Sequence, residues 1–177
     1  SGQTCIAGSR LLLQDSIYDE FVDRLTDMTR AAVLGDPMDP ATNISPVATK
    51  AQHEKILSYI DIAKAEGATC ILGGNAAQPE GSGGYFVEPT IFTDVRNDMR
   101  IAQEEVFGPV LSILRFHDED EAVRIGNDTN YGLAAGVWTN DLTRALRMSR
   151  RMQAGTVWVN TYRSTSYTTS FGGIKNN

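Results

Sequence analysis

Residues able to do chemistry stand near both ends of the chain and once between them. Near the start, Gly2-Gln-Thr-Cys5-Ile-Ala-Gly8 sets a cysteine among small residues. A free thiol has a pKa of about 8.5, so a nucleophilic cysteine needs a helix N-terminus, a cation or a base beside it. Gly2 and Gln3 before Cys5 and the small residues after it fit a turn leading into a short helix. Backbone N–H groups at such a helix start would lower the thiol pKa and hold a developing oxyanion. Taken alone, Cys5 reads first as a small apolar filler. In the middle, Gln103-Glu-Glu-Val-Phe-Gly-Pro109 joins paired acids to an aromatic and a Gly-Pro turn just ahead of a strand. Here the plain reading has Glu104 capping the strand start and Phe107 in the core. At the end, Phe171-Gly-Gly-Ile-Lys175 follows the hydroxyl-rich stretch Arg163 to Ser170. The two histidines, His53 on a helix face and His117 on a polar loop, read as solvated; neither belongs to a triad, and no metal-ligand spacing occurs.

Composition narrows the function classes. The 177 residues are 41% hydrophobic and 21% charged, which reads as one soluble domain with a sizeable core. A net charge of −6, with no basic run interleaved with aromatics, argues against nucleic acid as a partner. No apolar stretch approaches the roughly 20 residues that span a bilayer, and the first residues lack the pattern of a signal peptide. Two cysteines, Cys5 and Cys70, make no disulfide framework. A reducing, cytoplasmic setting is the simpler inference, with a bridge between the two left open.

Periodicity supplies the elements that must position these residues. Ile17, Phe21, Leu25, Met28 and Ala32 recur at helical spacing, with Ser16 as N-cap and Gly35 beyond the end. A second helix is predicted from about Thr49 to Ala65, with Gln52 at the capping-box position and Gly67 as its stop. Two more fall near Asp118 to Ile125 and Asp141 to Met152. Short apolar runs at Arg10 to Gln14, Thr69 to Leu72, Val110 to Phe116, Ala134 to Thr139 and Thr156 to Asn160 read as buried strands. Alternation of this kind predicts an α/β fold: an open, mostly parallel twisted sheet with helices on both faces. The stretches Gly35 to Val47 and Asn75 to Pro89 read as surface loops, and Gly81-Ser-Gly-Gly84 lacks the strand-to-helix setting of a dinucleotide fingerprint.

Together, Gly2-Gln-Thr-Cys5 with Ser9-Arg10, Glu104-Glu-Val-Phe-Gly-Pro-Val110, Asn130-Tyr-Gly-Leu-Ala-Ala-Gly136, Gly155-Thr-Val-Trp-Val-Asn160 and Phe171-Gly-Gly-Ile-Lys175 resemble the aldehyde dehydrogenase superfamily. Five motifs in the family's order carry the likeness over essentially the whole chain, and it is to the catalytic domain, residues 1–177. The resemblance implies that Cys5 is the nucleophile, forming a thiohemiacetal that yields hydride to the nicotinamide of NAD or NADP and then a thioester that water hydrolyses. It implies that Glu105 bonds the nicotinamide ribose, that Phe107 packs near the nicotinamide, and, more weakly, that Gln52 and Lys55 reach the ribose and phosphate region. Glu104 is then the bland neighbour. Thr4 and Ile6 would shape the pocket around the thiol, with Thr165 and Phe171 on the substrate-tunnel wall. Ser170 stands where the family usually has proline, and the hydroxyl-rich wall suggests a polar aldehyde.

In the family a separate N-terminal domain holds most of the nucleotide, a glutamate upstream of the cysteine activates water, and an upstream asparagine completes the oxyanion hole. The 177 residues are therefore expected to be a segment of a longer enzyme that lacks the cofactor domain and the oligomerisation strand, with little or no activity alone. The full-length enzyme would be a homodimer or homotetramer acting on a small-molecule aldehyde, with no nucleic acid, membrane or metal partner. Two other classes stand beside this reading: a cysteine-dependent thioesterase or acyl-transfer enzyme, which needs a base near Cys5, and a non-catalytic structural module.

Overall fold

In the computed structural model, which describes residues 1–176, the chain forms two compact units, one from Ser1 to Phe116 and a second beginning at His117. The first unit runs β1 (Arg10–Gln14), α1 (Tyr18–Arg30), α2 (Lys50–Ala65), β2 (Thr69–Leu72), β3 (Ala76–Ala77), β4 (Phe86–Val87), β5 (Thr90–Thr93), α3 (Arg100–Gln103) and β6 (Val110–Phe116). Its main sheet has the order β1-β6-β5-β2. β1 and β5 both pair with β6 in parallel, and β2 runs antiparallel to β5 at one edge. The fold is thus α/β with open, mostly parallel sheets. Parallel neighbours need long crossovers, and the chain supplies them between β1 and β6 and between β5 and β6.

Burial follows position in the sheet. The central strands β5 and β6 are almost wholly buried, whereas the edge strands β1 and β2 are half-exposed for most of their length. Leu13, Ile91 and Ile113 form one core cluster with Tyr18, and Val22 and Leu25 of α1 pack against it. Removing such side chains from water stabilises by about 1.5–3 kcal/mol each. β5 is absent from the periodicity because Thr90 and Thr93 bracket only two apolar residues. Its threonines are buried without loss, since Thr90 Oγ1 accepts from Gly74 N at 3.0 Å and donates to the Glu88 carbonyl at 2.8 Å. The stretch Asn75 to Pro89 is not simply a surface loop. It pairs β3 with β4, and it buries Phe86 and Val87 almost completely.

Local signals at helix ends hold in part. Ser16 does not cap the first helix: Asp15–Ile17 is a 3-10 turn, α1 starts at Tyr18, and its cap position is Ile17 with no side-chain bond. The cause is tertiary, because Tyr18 is drawn into the core, with the Arg115 guanidinium 3.4 Å from its ring centre. α2 follows its sequence signals closely. Thr49 Oγ1 accepts from Gln52 N at 3.2 Å. At the other end Ala68 N bonds to Ala63 O at 2.9 Å and Gly67 N to Lys64 O at 3.1 Å, a Schellman closure around Gly67 at φ 98°.

The second unit runs α4 (Glu119–Asn127), β7 (Ala134–Val137), α5 (Leu142–Arg151) and β8 (Thr156–Val159), with β7 and β8 parallel. Asp118 and Asp141 cap its helices, each accepting from a backbone N–H at 2.9 Å. The two helices are tied by the Glu119 carboxylate, which meets Arg147 at 2.5 and 2.6 Å and Arg144 at 3.4 Å. Both cysteines are free thiols, so the open question of a bridge is answered by its absence. Among the described residues no helix is long and apolar enough to cross a membrane.

Because Thr49 Oγ1 accepts from one of the orphan N–H donors at the start of α2, Thr49→Ala is expected to lower stability by about 1 kcal/mol in urea denaturation, and Thr49→Ser by a few tenths at most.

Candidate functional site

Cys5 sits in a tight turn closed by Ala7 N donating to Thr4 O at 2.8 Å, and its side chain is exposed. No helix begins there; the chain passes from this turn straight into β1, so the expected helix start is corrected. The reason is that Ser9 O and β1 join the edge of β6, with Ser112 N bonding Ser9 O at 2.9 Å, which commits the following residues to extended backbone. The N–H groups of Cys5 and Ile6 meet no acceptor among the described residues. Thr4 is exposed and Ile6 half-buried beside the thiol.

Two contacts fix this turn to the rest of the first unit. Gln3 Oε1 accepts from Ala48 N at 3.0 Å, next to the start of α2. Gly2, at φ 71°, lies so close to Gly108 that a Cβ there would overlap the Gly108 carbonyl. The segment carrying the thiol therefore abuts both the first turn of α2 and the Glu104–Pro109 turn. Glycine is required at Gly2 twice over, for its backbone conformation and for the space.

The Glu104–Pro109 turn is gripped residue by residue by α2. Gln52 Nε2 donates to Val106 O at 2.9 Å and to Phe107 O at 3.1 Å. Ile56 packs on Gly108, where a Cβ would come within 2.5 Å of its Cδ1. Tyr59 Oη donates to Glu104 Oε2 at 2.5 Å, and Arg100 grips the same carboxylate bidentately at 2.7 and 2.9 Å. Phe107 has φ 57°, a left-handed conformation that costs a bulky residue about 1–2 kcal/mol and has to be offset by such contacts. Lys55 stands 5.7 Å from the Tyr59 ring centre, one turn beyond Gln52.

Electrostatics separate the two acids. Arg100 first, and the Tyr59 hydroxyl second, hold the Glu104 carboxyl down at about 2, while burial and the same carboxylate push the Tyr59 phenol up. Glu104 is thus neither bland nor a strand cap: it anchors the turn. Glu105 is exposed, and its carboxylate makes no ion pair or hydrogen bond among the described residues. It is free to accept from a ligand's hydroxyls. His53 is not solvated, since its Nε2 lies 3.0 Å from Phe86 O and its ring stacks at a tilt on Tyr85. His117 is exposed. Neither histidine is a bonded base for Cys5, and no group of three or more histidine, cysteine or acidic residues among the described residues could hold a metal.

Thr165 and Phe171 belong to the second unit, on a long loop after β8. That loop is moored at several points. Trp158 Nε1 donates to Ser164 O at 2.6 Å, and its ring meets Tyr162 edge-on at 5.1 Å. Gly155 is packed against the Gly172 carbonyl with no room for a Cβ. Lys175 Nζ donates to Asn127 O at 2.6 Å and Thr129 O at 3.0 Å, closing the carbonyls at the C-terminal end of α4. Between these moorings Thr165 and Phe171 remain exposed. The structure therefore gathers Thr4, Cys5, Ile6 and the turn bearing Glu105 and Phe107 with Gln52 and Lys55 in one unit. Missed from the sequence were Gln3, Tyr59 and Arg100; only the helical spacing of Gln52, Ile56 and Tyr59 hinted at a shared face.

A folded-state pKa below the ordinary carboxylate value means that Glu104 contributes stability above pH 4.5, lost as the pH falls toward 2. With 40% of the side chain exposed, solvent screening reduces the contribution to about 1 kcal/mol. Glu104→Gln should therefore unfold earlier than the parent chain at pH 7 in thermal scans, and the gap should close as both approach pH 2.

Comparison with known proteins adds lineage to this geometry. The profile of the aldehyde dehydrogenase family matches residues 1–177. Betaine aldehyde dehydrogenase of Mesorhizobium japonicum is 50% identical over 176 residues, covering 99% of this chain and 36% of that protein. An aldehyde dehydrogenase of Aspergillus niger is 47% identical over 174 residues, covering 98% and 34%. Among solved structures, indole-3-acetaldehyde dehydrogenase complexed with NAD+ superposes with a TM-score of 0.94 at 47% identity, covering 98% of this chain and 35% of that one. Betaine aldehyde dehydrogenase from Staphylococcus aureus in complex with NAD+ gives a TM-score of 0.96 at 42% identity, with 98% and 35% covered. The chain spans about a third of the length of the relatives it matches.

Proposed function

Since the chain belongs to the aldehyde dehydrogenase family, we propose that it carries the nucleophile of an enzyme that oxidises an aldehyde to a carboxylic acid with NAD or NADP. The observation that carries this reading is the braced, exposed turn of Cys5, packed through Gly2 against the turn that presents Glu105 and Phe107. A nucleophile needs access and a fixed position together. Here the Gln3–Ala48 bond and the Gly2–Gly108 contact supply the position.

The donor set fits a nicotinamide nucleotide. Glu105 offers a carboxylate with no partner among the described residues for ribose hydroxyls, Phe107 an aromatic face for the nicotinamide, and Lys55 an exposed cation for a phosphate. Oxidised nicotinamide, when bound, supplies the two-electron acceptor of the reaction. The Cys5 thiolate adds to the carbonyl carbon, forming the C–S bond as the carbonyl π electrons move to oxygen. The N–H groups of Cys5 and Ile6 are unpaired among the described residues and so available to that oxyanion. Oxidation leaves a thioester on Sγ, and water cleaves its C–S bond to release the acid and restore the thiol.

Substrate and assembly extend the same proposal. Thr165 to Thr169 line an exposed loop with hydroxyls, and several similar proteins are named betaine aldehyde dehydrogenases, which favours a small polar aldehyde over a long alkyl one. The working enzyme is a homodimer or homotetramer. The 177 residues by themselves should form NAD(P)H at or near background, because no base is bonded to Cys5 and no dinucleotide fingerprint lies among the described residues.

In the enzyme carrying this segment, Cys5→Ala should lower kcat for aldehyde oxidation by about 10³-fold or more, read as NAD(P)H absorbance. Activity retained in that variant would sink the assignment. The ratio of kcat/KM for betaine aldehyde over hexanal should exceed one; a ratio below one would overturn the polar-substrate reading.

A further inference from the structure

We propose that Gln52 is a positioning residue: its side-chain amide holds Phe107 in the left-handed conformation and so aims Phe107 and Glu105, instead of touching the cofactor itself. The inference rests on the dehydrogenase reading above and reassigns one residue within it. An amide nitrogen has two N–H donors. Both are committed here, to Val106 O at 2.9 Å and Phe107 O at 3.1 Å, so none is left for a ligand.

The backbone outlier gives the bonds their meaning. Phe107 is a bulky, half-buried residue at φ 57°, and such a conformation persists only where the surroundings over-determine it. Those surroundings come from one face of α2, on which Gln52, Ile56 and Tyr59 follow at spacings of four and three residues. Tyr59 and Arg100 anchor Glu104, Gln52 takes the carbonyls of Val106 and Phe107, and Ile56 occupies the space that the missing Cβ of Gly108 leaves. Glu105 is the one side chain in the turn that is exposed and without a partner among the described residues. A clamp that engages every neighbour of Glu105 but not Glu105 itself is a device for presenting it.

Gln52 is placed early enough in α2 to act as a fixed post. Its own N–H is tied to Thr49 Oγ1 at 3.2 Å, which sets the backbone from which the amide reaches. The turn in turn feeds β6 and β5, since Val110 N bonds Gly108 O at 2.8 Å and Thr90 N bonds Pro109 O at 2.8 Å. Loosening the turn therefore has a local reporter, the exchange of the Val110 amide with solvent deuterium, measured on the full chain with neither nucleotide nor aldehyde present.

Gln52→Met keeps the length of the side chain and removes both donors. Exchange at Val110 should then rise about tenfold, while the Leu114 amide in the interior of β6 is unchanged. In a Phe107→Gly background the same Gln52→Met change should move Val110 exchange less than twofold, because glycine takes positive φ without steric cost. A tenfold rise of equal size in both backgrounds, or no rise in either, overturns the assignment. If Gln52→Met alone does not fold, recovery of folding in the Gln52→Met, Phe107→Gly double variant supports it, and failure of both overturns it. These readouts need no turnover, so they stand or fall apart from the Cys5→Ala test of the reaction.

Discussion

Phe107 stands at φ 57°, where a bulky side chain crowds its own carbonyl, and much of the first unit is arranged to keep it there. The constraint comes from sharing a short turn among several demands. Glu104 must face Arg100 and Tyr59, Glu105 must face outward, and Gly108 must pass close to both Ile56 and Gly2. Those demands fall on five consecutive residues, Glu104 to Gly108. One of them takes the strained conformation, and the buried face of α2 carries the cost.

The same arrangement ties the thiol to the turn. Gly2 leans on Gly108 and Gln3 bonds Ala48, so the short piece of chain before β1 is located by the element that also locates Glu105 and Phe107. α2 is accordingly more than a covering helix. Its Thr49 cap and Gly67 closure fix its two ends, and its inward face holds the turn that carries Glu105 and Phe107. The second unit uses a comparable strategy on a longer loop: Trp158, Gly155 and Lys175 hold the loop at separated points and leave Thr165 and Phe171 exposed between them.

Legibility tracked how local each cause was. α2 was readable to within a residue because its cap, apolar spacing and C-terminal glycine all act within one turn of where they stand. β6 was readable because a central parallel strand is mostly apolar, here interrupted only by Ser112 and Arg115. β5 was hidden, since Thr90 and Thr93 look polar until Gly74 N, Glu88 O and Thr69 O are seen to satisfy them. Ser16 looked like a helix cap and lost to the burial of Tyr18. His53 and Glu104 looked solvated and bland, and each proved to be bonded to a residue far along the chain.

Sequence alone determined the α/β class, the helix boundaries that rest on local capping, and the family, because these depend on periodicity and on motifs a few residues long. Only the tertiary structure decided that Cys5 lies on a turn feeding a strand, that Glu104 anchors while Glu105 is presented, and that Gln52 spends its amide on the backbone of Phe107. The Gln52 contacts and the Tyr59 bond to Glu104 join residues some fifty positions apart, and the Ser112–Ser9 bond that commits the chain after Cys5 to a strand spans about twice that. Such bonds form only once the sheet and α2 have brought their partners within reach, and no local pattern of residues encodes them.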